Sequence, residues 1–107
     1  MKGKSSYIEK EWVELQILGY CLKAAVFELP DSVIKQYLLL EITKPIKLKS
    51  VISLYRVQTK IVNIIDIIVL EKLENSRDVL RLLKDIERVL QAIIVYIKNQ
   101  IENQNGQ

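Results

Sequence analysis

The chain contains no histidine, and in 107 residues it has only one cysteine, two prolines and three glycines. Each scarcity removes a class of function. Without imidazole there is no material for a Ser-His-Asp triad, a His-ligated zinc or a histidine general base. Glycine at positions 3, 19 and 106 alone leaves no Gly-rich phosphate loop of either nucleotide-binding pattern. Cys21 stands by itself, so no intrachain disulfide can form, and its apolar neighbours predict a buried structural thiol. A chain so poor in glycine and proline is neither collagen-like nor of low complexity.

What the chain has in abundance is aliphatic bulk: 41 of its residues are Ile, Leu or Val. A chain of this size buries only about 60–70% of its unfolded surface, so that count exceeds what one small core needs. Self-association is the expected sink for the excess. A membrane span is not expected, because the most apolar stretch, Ile61 to Leu70, is ten residues long and includes Asn63 and Asp66, against about 20 apolar residues for a crossing. Met1 to Lys10 has no apolar core of a secretory signal. A cytoplasmic setting is the resulting expectation.

Proline and short polar residues divide a pattern that is otherwise continuously helical. The breaks are Leu29-Pro30-Asp31, Lys44-Pro45 and Glu74-Asn75-Ser76. A first helix is predicted from about Tyr7 to Glu28, opened by the capping-box spacing of Ser6 and Glu9. Ile8, Trp12, Leu15, Gly19, Leu22, Val26 and Leu29 follow at steps of four and three, which places them on one stripe. Val13, Ile17, Leu18, Tyr20 and Phe27 fall off that stripe, so more than one face of this helix is expected to be buried.

A short second helix is predicted from about Ser32 to Thr43, capped by Asp31 or Ser32, with Pro30 barring continuity. The third is expected from near Pro45 to Leu73, with Arg56, Thr59, Lys60, Asn63 and Asp66 forming one wet stripe. Its Ile61–Leu70 run is rich in β-branched residues, but a pattern of more than twenty residues without a breaker is too long for a strand. The fourth follows Asn75 and reaches about Asn99. Val79, Leu83, Ile86, Leu90, Ile93 and Ile97 repeat on one face, and Arg77, Arg81, Lys84, Asp85, Arg88 and Gln91 lie opposite. The expected organisation is one domain over residues 1–101, an all-α up-and-down four-helix bundle, with a frayed polar tail at 102–107.

No constellation of catalytic residues is complete. Helix-bundle di-iron and di-manganese sites draw on Glu-x-x-His pairs, which a histidine-free chain cannot supply. Glu11 and Glu14 read as a solvated pair, and Glu71, Glu74 and Asp78 as turn chemistry. No catalytic residue, metal site, cofactor or small-molecule substrate is therefore expected. Asn63 and Asp66 admit two readings: buried polar groups that set register in an interface, or a stripe that faces water.

Charge is the strongest functional signal. The net charge is +3, and between Glu41 and Asp66 there are five cations and no acid: Lys44, Lys47, Lys49, Arg56 and Lys60. Cations that neutralise phosphates release counterions and give sequence-independent affinity for nucleic acid, and Tyr55 beside Arg56 is placed to stack on a base. These five residues are the predicted phosphate contacts. The alternative is a protein–protein assembly module in which the apolar third helix docks a partner and the lysines keep the complex soluble.

Three segments, Phe27-Glu-Leu-Pro-Asp31, Arg56–Leu73 (RVQTKIVNIIDIIVLEKL) and Leu80–Lys98 (LRLLKDIERVLQAIIVYIK), carry a resemblance that spans most of the chain. In their order and pattern they resemble the four-helix-bundle family of 23S rRNA intervening-sequence proteins and the accessory variability determinant (Avd) of diversity-generating retroelements. The resemblance implies a pentameric basic barrel that binds nucleic acid and, in the retroelement branch, supports a reverse transcriptase.

Overall fold

Four helices account for the fold, and no strand occurs among the described residues; the computed structural model describes residues 2–43 and 51–105. They are α1 (Lys2–Phe27), α2 (Val33–Tyr37), α3 (Val51–Glu71) and α4 (Arg77–Asn105), with α2 running on into a π-helical turn, Leu38–Ile42. The molecule is a rod of 52 × 21 × 19 Å. Both α1 and α3 pack against α4, and the π turn touches α1 and α3.

The predicted stripes form the core. On α4, Val79, Leu82, Leu83, Ile86, Val89, Leu90, Ile93 and Ile94 are buried, eight of the eighteen buried apolar side chains among the described residues. Their spacing keeps one broad face of the helix turned inward for about four turns. Leu15, Leu22 and Val26 of α1, with Leu29 just beyond it, and Leu54, Ile61, Ile64 and Ile68 of α3 complete the contact, while Leu38 and Ile42 of the π turn close it. No polar or charged residue is buried among the described residues.

Element ends follow from local chemistry. Ser32, in extended backbone, caps α2 by accepting the Lys35 backbone N–H at 3.1 Å, which selects Ser32 over Asp31. The Lys35 ammonium reaches back to donate to the carbonyls of Phe27 (3.1 Å) and Leu29 (2.8 Å), satisfying orphan acceptors where α1 stops. The π turn is closed by the Thr43 N–H donating to the Leu38 carbonyl at 2.9 Å, five residues back, and this wider turn aims both Leu38 and Ile42 at the core. At the end of α3, Lys72 adopts φ +50°, and the N–H groups of Lys72 and Leu73 bond back to the carbonyls of Val69 and Ile68, a Schellman cap built without glycine.

Several expectations are corrected. Helix α1 begins at Lys2, so Ser6 lies inside it instead of capping it. Helix α4 runs through Asn105, beyond the end expected near Asn99; neither glycine nor proline occurs between Arg77 and Asn105. Cys21 is exposed, not buried: it neighbours Leu22 in sequence, and one step of about 100° takes it off the buried stripe. Within the single chain α1 buries one face only, leaving Val13, Ile17, Tyr20 and Phe27 exposed.

Because α4 is the common partner of both long helices, truncation of its core face is expected to be severe. Leu90→Ala should destabilise by about 2–5 kcal/mol in urea unfolding followed by circular dichroism, whereas Leu70→Ala, at a residue 79% exposed on α3, should stay within about 0.5 kcal/mol.

Candidate nucleic-acid interface

Of the five predicted phosphate contacts, Lys44, Lys47 and Lys49 lie outside the described residues. Arg56 and Lys60 both stand exposed on α3, one helical turn apart, because the buried Leu54, Ile61 and Ile64 and the half-buried Val57 take the opposite side. Ile52, Tyr55, Arg56, Thr59 and Lys60 line one shallow depression, so Tyr55 and Arg56 share a surface as their adjacency suggested. Lys60 is not free: its ammonium donates to Glu41 Oε1 of the π turn at 3.0 Å, with both side chains roughly half exposed. An acid distant in sequence thus enters an interval that is acid-free when read along the chain. Asn63 and Asp66 are exposed on the same helix, so within one chain the water-facing reading of that stripe holds.

A second basic surface coincides with the polar face of the fourth helix. Arg77, Arg81, Lys84 and Arg88 recur at steps of four, three and four on α4 and are all exposed. They face outward because the buried stripe from Val79 to Ile94 occupies the other side of the helix. The row extends for about 16 Å at 1.5 Å per residue. Acids flank it: Asp78 lies 3.6 Å from Arg81, and Glu14 of α1 and Asp85 lie 3.8 and 3.9 Å from Arg88. All three contacts are long and solvent-exposed, the regime in which an ion pair contributes about 0–1 kcal/mol and yields readily to a competing anion. Arg56, Arg77 and Lys84 have no ion-pair partner among the described residues. The signal that marks this face is periodicity of charge, cations repeating with the helix in antiphase to the aliphatics.

Other polar groups have structural work. Lys35 is only 15% exposed and serves the end of α1. Gln58 of α3 donates to Glu87 Oε2 at 3.0 Å and to Gln91 of α4, bridging the rim of the α3–α4 contact. Among the described residues no group of three or more Asp, Glu or Cys is arranged to hold a metal ion, and no helix is long and apolar enough to cross a membrane.

No protein-family model matches the chain, and neither a curated protein nor a solved structure matches it. The class defined by fold and surface is that of an all-helical protein with an exposed row of cations on α4.

The Lys60–Glu41 pair ties the π turn to α3 across solvent. A double-mutant cycle with Lys60→Met and Glu41→Gln should return a coupling below about 1 kcal/mol that shrinks further at 0.5 M salt, since exposed charges are screened; a coupling indifferent to salt would contradict this assignment.

Proposed function

We propose that the chain is a non-catalytic accessory protein of the cytoplasm, an up-and-down four-helix bundle that self-associates and binds nucleic acid or a nucleoprotein partner through its basic faces. The observation that carries this reading is the α4 row, Arg77, Arg81, Lys84 and Arg88, held outward by the burial of the opposite face. Lys44, Lys47, Lys49, Arg56 and Lys60 are the remaining proposed phosphate contacts, with Tyr55 available to stack on an unpaired base. Contacts of this kind read the phosphate backbone and not sequence. The family resemblance supports an accessory role beside a reverse transcriptase.

Apolar surface supports a second reading. Val13, Ile17, Tyr20 and Phe27 on α1 and Ile52, Val69 and Leu70 on α3 remain exposed, as a pure assembly module would require. The two readings part on salt dependence.

Fluorescence anisotropy with a labelled duplex and a labelled single strand, each titrated at several salt concentrations, tests the proposal. The four phosphate contacts from α4 should contribute about −3.6 to the log–log salt slope on duplex. Arg77→Glu with Lys84→Glu should weaken binding at least about tenfold and flatten that slope by about two. Arg56→Glu with Lys60→Glu should weaken it independently. No binding at low salt, or binding unmoved by either reversal, would refute nucleic-acid contact and favour the assembly module.

A further inference from the structure

Helix α1 is apolar on two opposite sides. Its inner stripe, Leu15, Leu22 and Val26, is buried on α4. On the outer side Val13, Ile17, Tyr20, Ala24 and Phe27 recur at steps of four, three, four and three, all exposed, Tyr20 by 76% and Val13, Ile17 and Phe27 by 56–57%. No charged residue interrupts them; Glu9 and Lys10 precede the stripe and Glu28 follows it. The exposed aliphatics of α3 differ, being interleaved with Arg56, Lys60, Asn63 and Asp66. A 4-3-4-3 apolar seam on the outside of a helix is the pattern that a second helix fills with knobs in holes.

Resting on the reading that the chain self-associates, we propose that this outer stripe of α1 is the seam, and that its occupant is the same stripe of a second copy, packed antiparallel across a two-fold axis. Three features select that occupant. At up to about 200 Å² per large side chain, scaled by those exposures, the stripe offers at most roughly 500 Å² per copy, or about 1,000 Å² over the fully covered pair, the threshold size for a weak, reversible interface. The seam is its own complement, bulky Tyr20 and Phe27 alternating with small Val13 and Ala24, as an isologous contact requires. The helix dipoles set the direction, since antiparallel packing opposes them.

The test is the molar mass by light scattering, under reductant, over about 1–100 µM, a range matched to a modest interface. The wild-type chain should approach the mass of two copies, or an even multiple, at the upper end. Ile17→Glu and Tyr20→Lys should each remain monomeric there with unchanged helicity, and Leu70→Glu on α3 should associate as the wild type does. As a measurement independent of those variants' folding, a benzophenone side chain installed at position 20 should cross-link on irradiation to residues 13–27 of a second copy. A wild-type chain monomeric throughout overturns self-association itself. An assembly that persists in the Ile17 and Tyr20 variants, that contains an odd number of copies, or that cross-links elsewhere overturns the seam while leaving self-association standing.

Discussion

The contact of the α4 apolar face with α1 on one side and α3 on the other is the interaction on which the rest of the structure depends. Eight buried aliphatics from Val79 to Ile94 face both neighbours. Each is worth about 1.5–3 kcal/mol for leaving water, on the scale of a net stability of only about 5–15 kcal/mol. The π turn that follows the short α2 contributes Leu38 and Ile42. Because α2 is five residues long against 26 in α1, it covers little of the long helices. Much apolar side chain is consequently left outside the core, on α1 and on α3.

The same constraint arranges the charge. Once one side of α4 is committed to the core, whatever occupies the opposite positions must face solvent, and in this chain those positions are Arg77, Arg81, Lys84 and Arg88. The core stripe and the basic row are thus two consequences of one helix orientation. Elsewhere cations are drawn into structural roles, Lys35 at the end of α1 and Lys60 against Glu41. Net charge alone is a poor guide to binding surface here: which cations remain available is decided by packing.

Much of this was legible in the sequence, and the failures have physical causes. The inner stripes of α1 and α4 could be read because aliphatics at steps of three and four have only one way to reach a common core, and Leu15, Leu22, Val26, Val79, Leu83, Ile86, Leu90 and Ile93 are all buried. Helix ends were less legible. A capping-box spacing at Ser6 and Glu9 does not by itself start a helix, since the same residues are tolerated inside one and α1 begins at Lys2; polar composition at residues 102–105 likewise does not end α4. Cys21 and the outer face of α1 ran against expectation because apolar composition does not by itself fix which face of a helix the chain buries. The Lys60–Glu41 pair was invisible because it joins residues 19 apart in sequence, and the α4 row was overlooked because net charge over residues 61–107 is slightly negative although its signs are segregated around the helix.

The central claim is that α4 serves the fold with one face and a polyanion with the other. Two-dimensional NMR of isotopically labelled protein, titrated with a short duplex at low salt, tests it most directly. The account predicts that the largest side-chain shifts fall on the guanidinium and ammonium groups of Arg77, Arg81, Lys84 and Arg88, that the methyl groups of Leu83, Ile86 and Leu90 hardly move, and that the shifts reverse on addition of salt. Shifts confined to the outer stripe of α1, or a spectrum that duplex leaves unchanged, would contradict it.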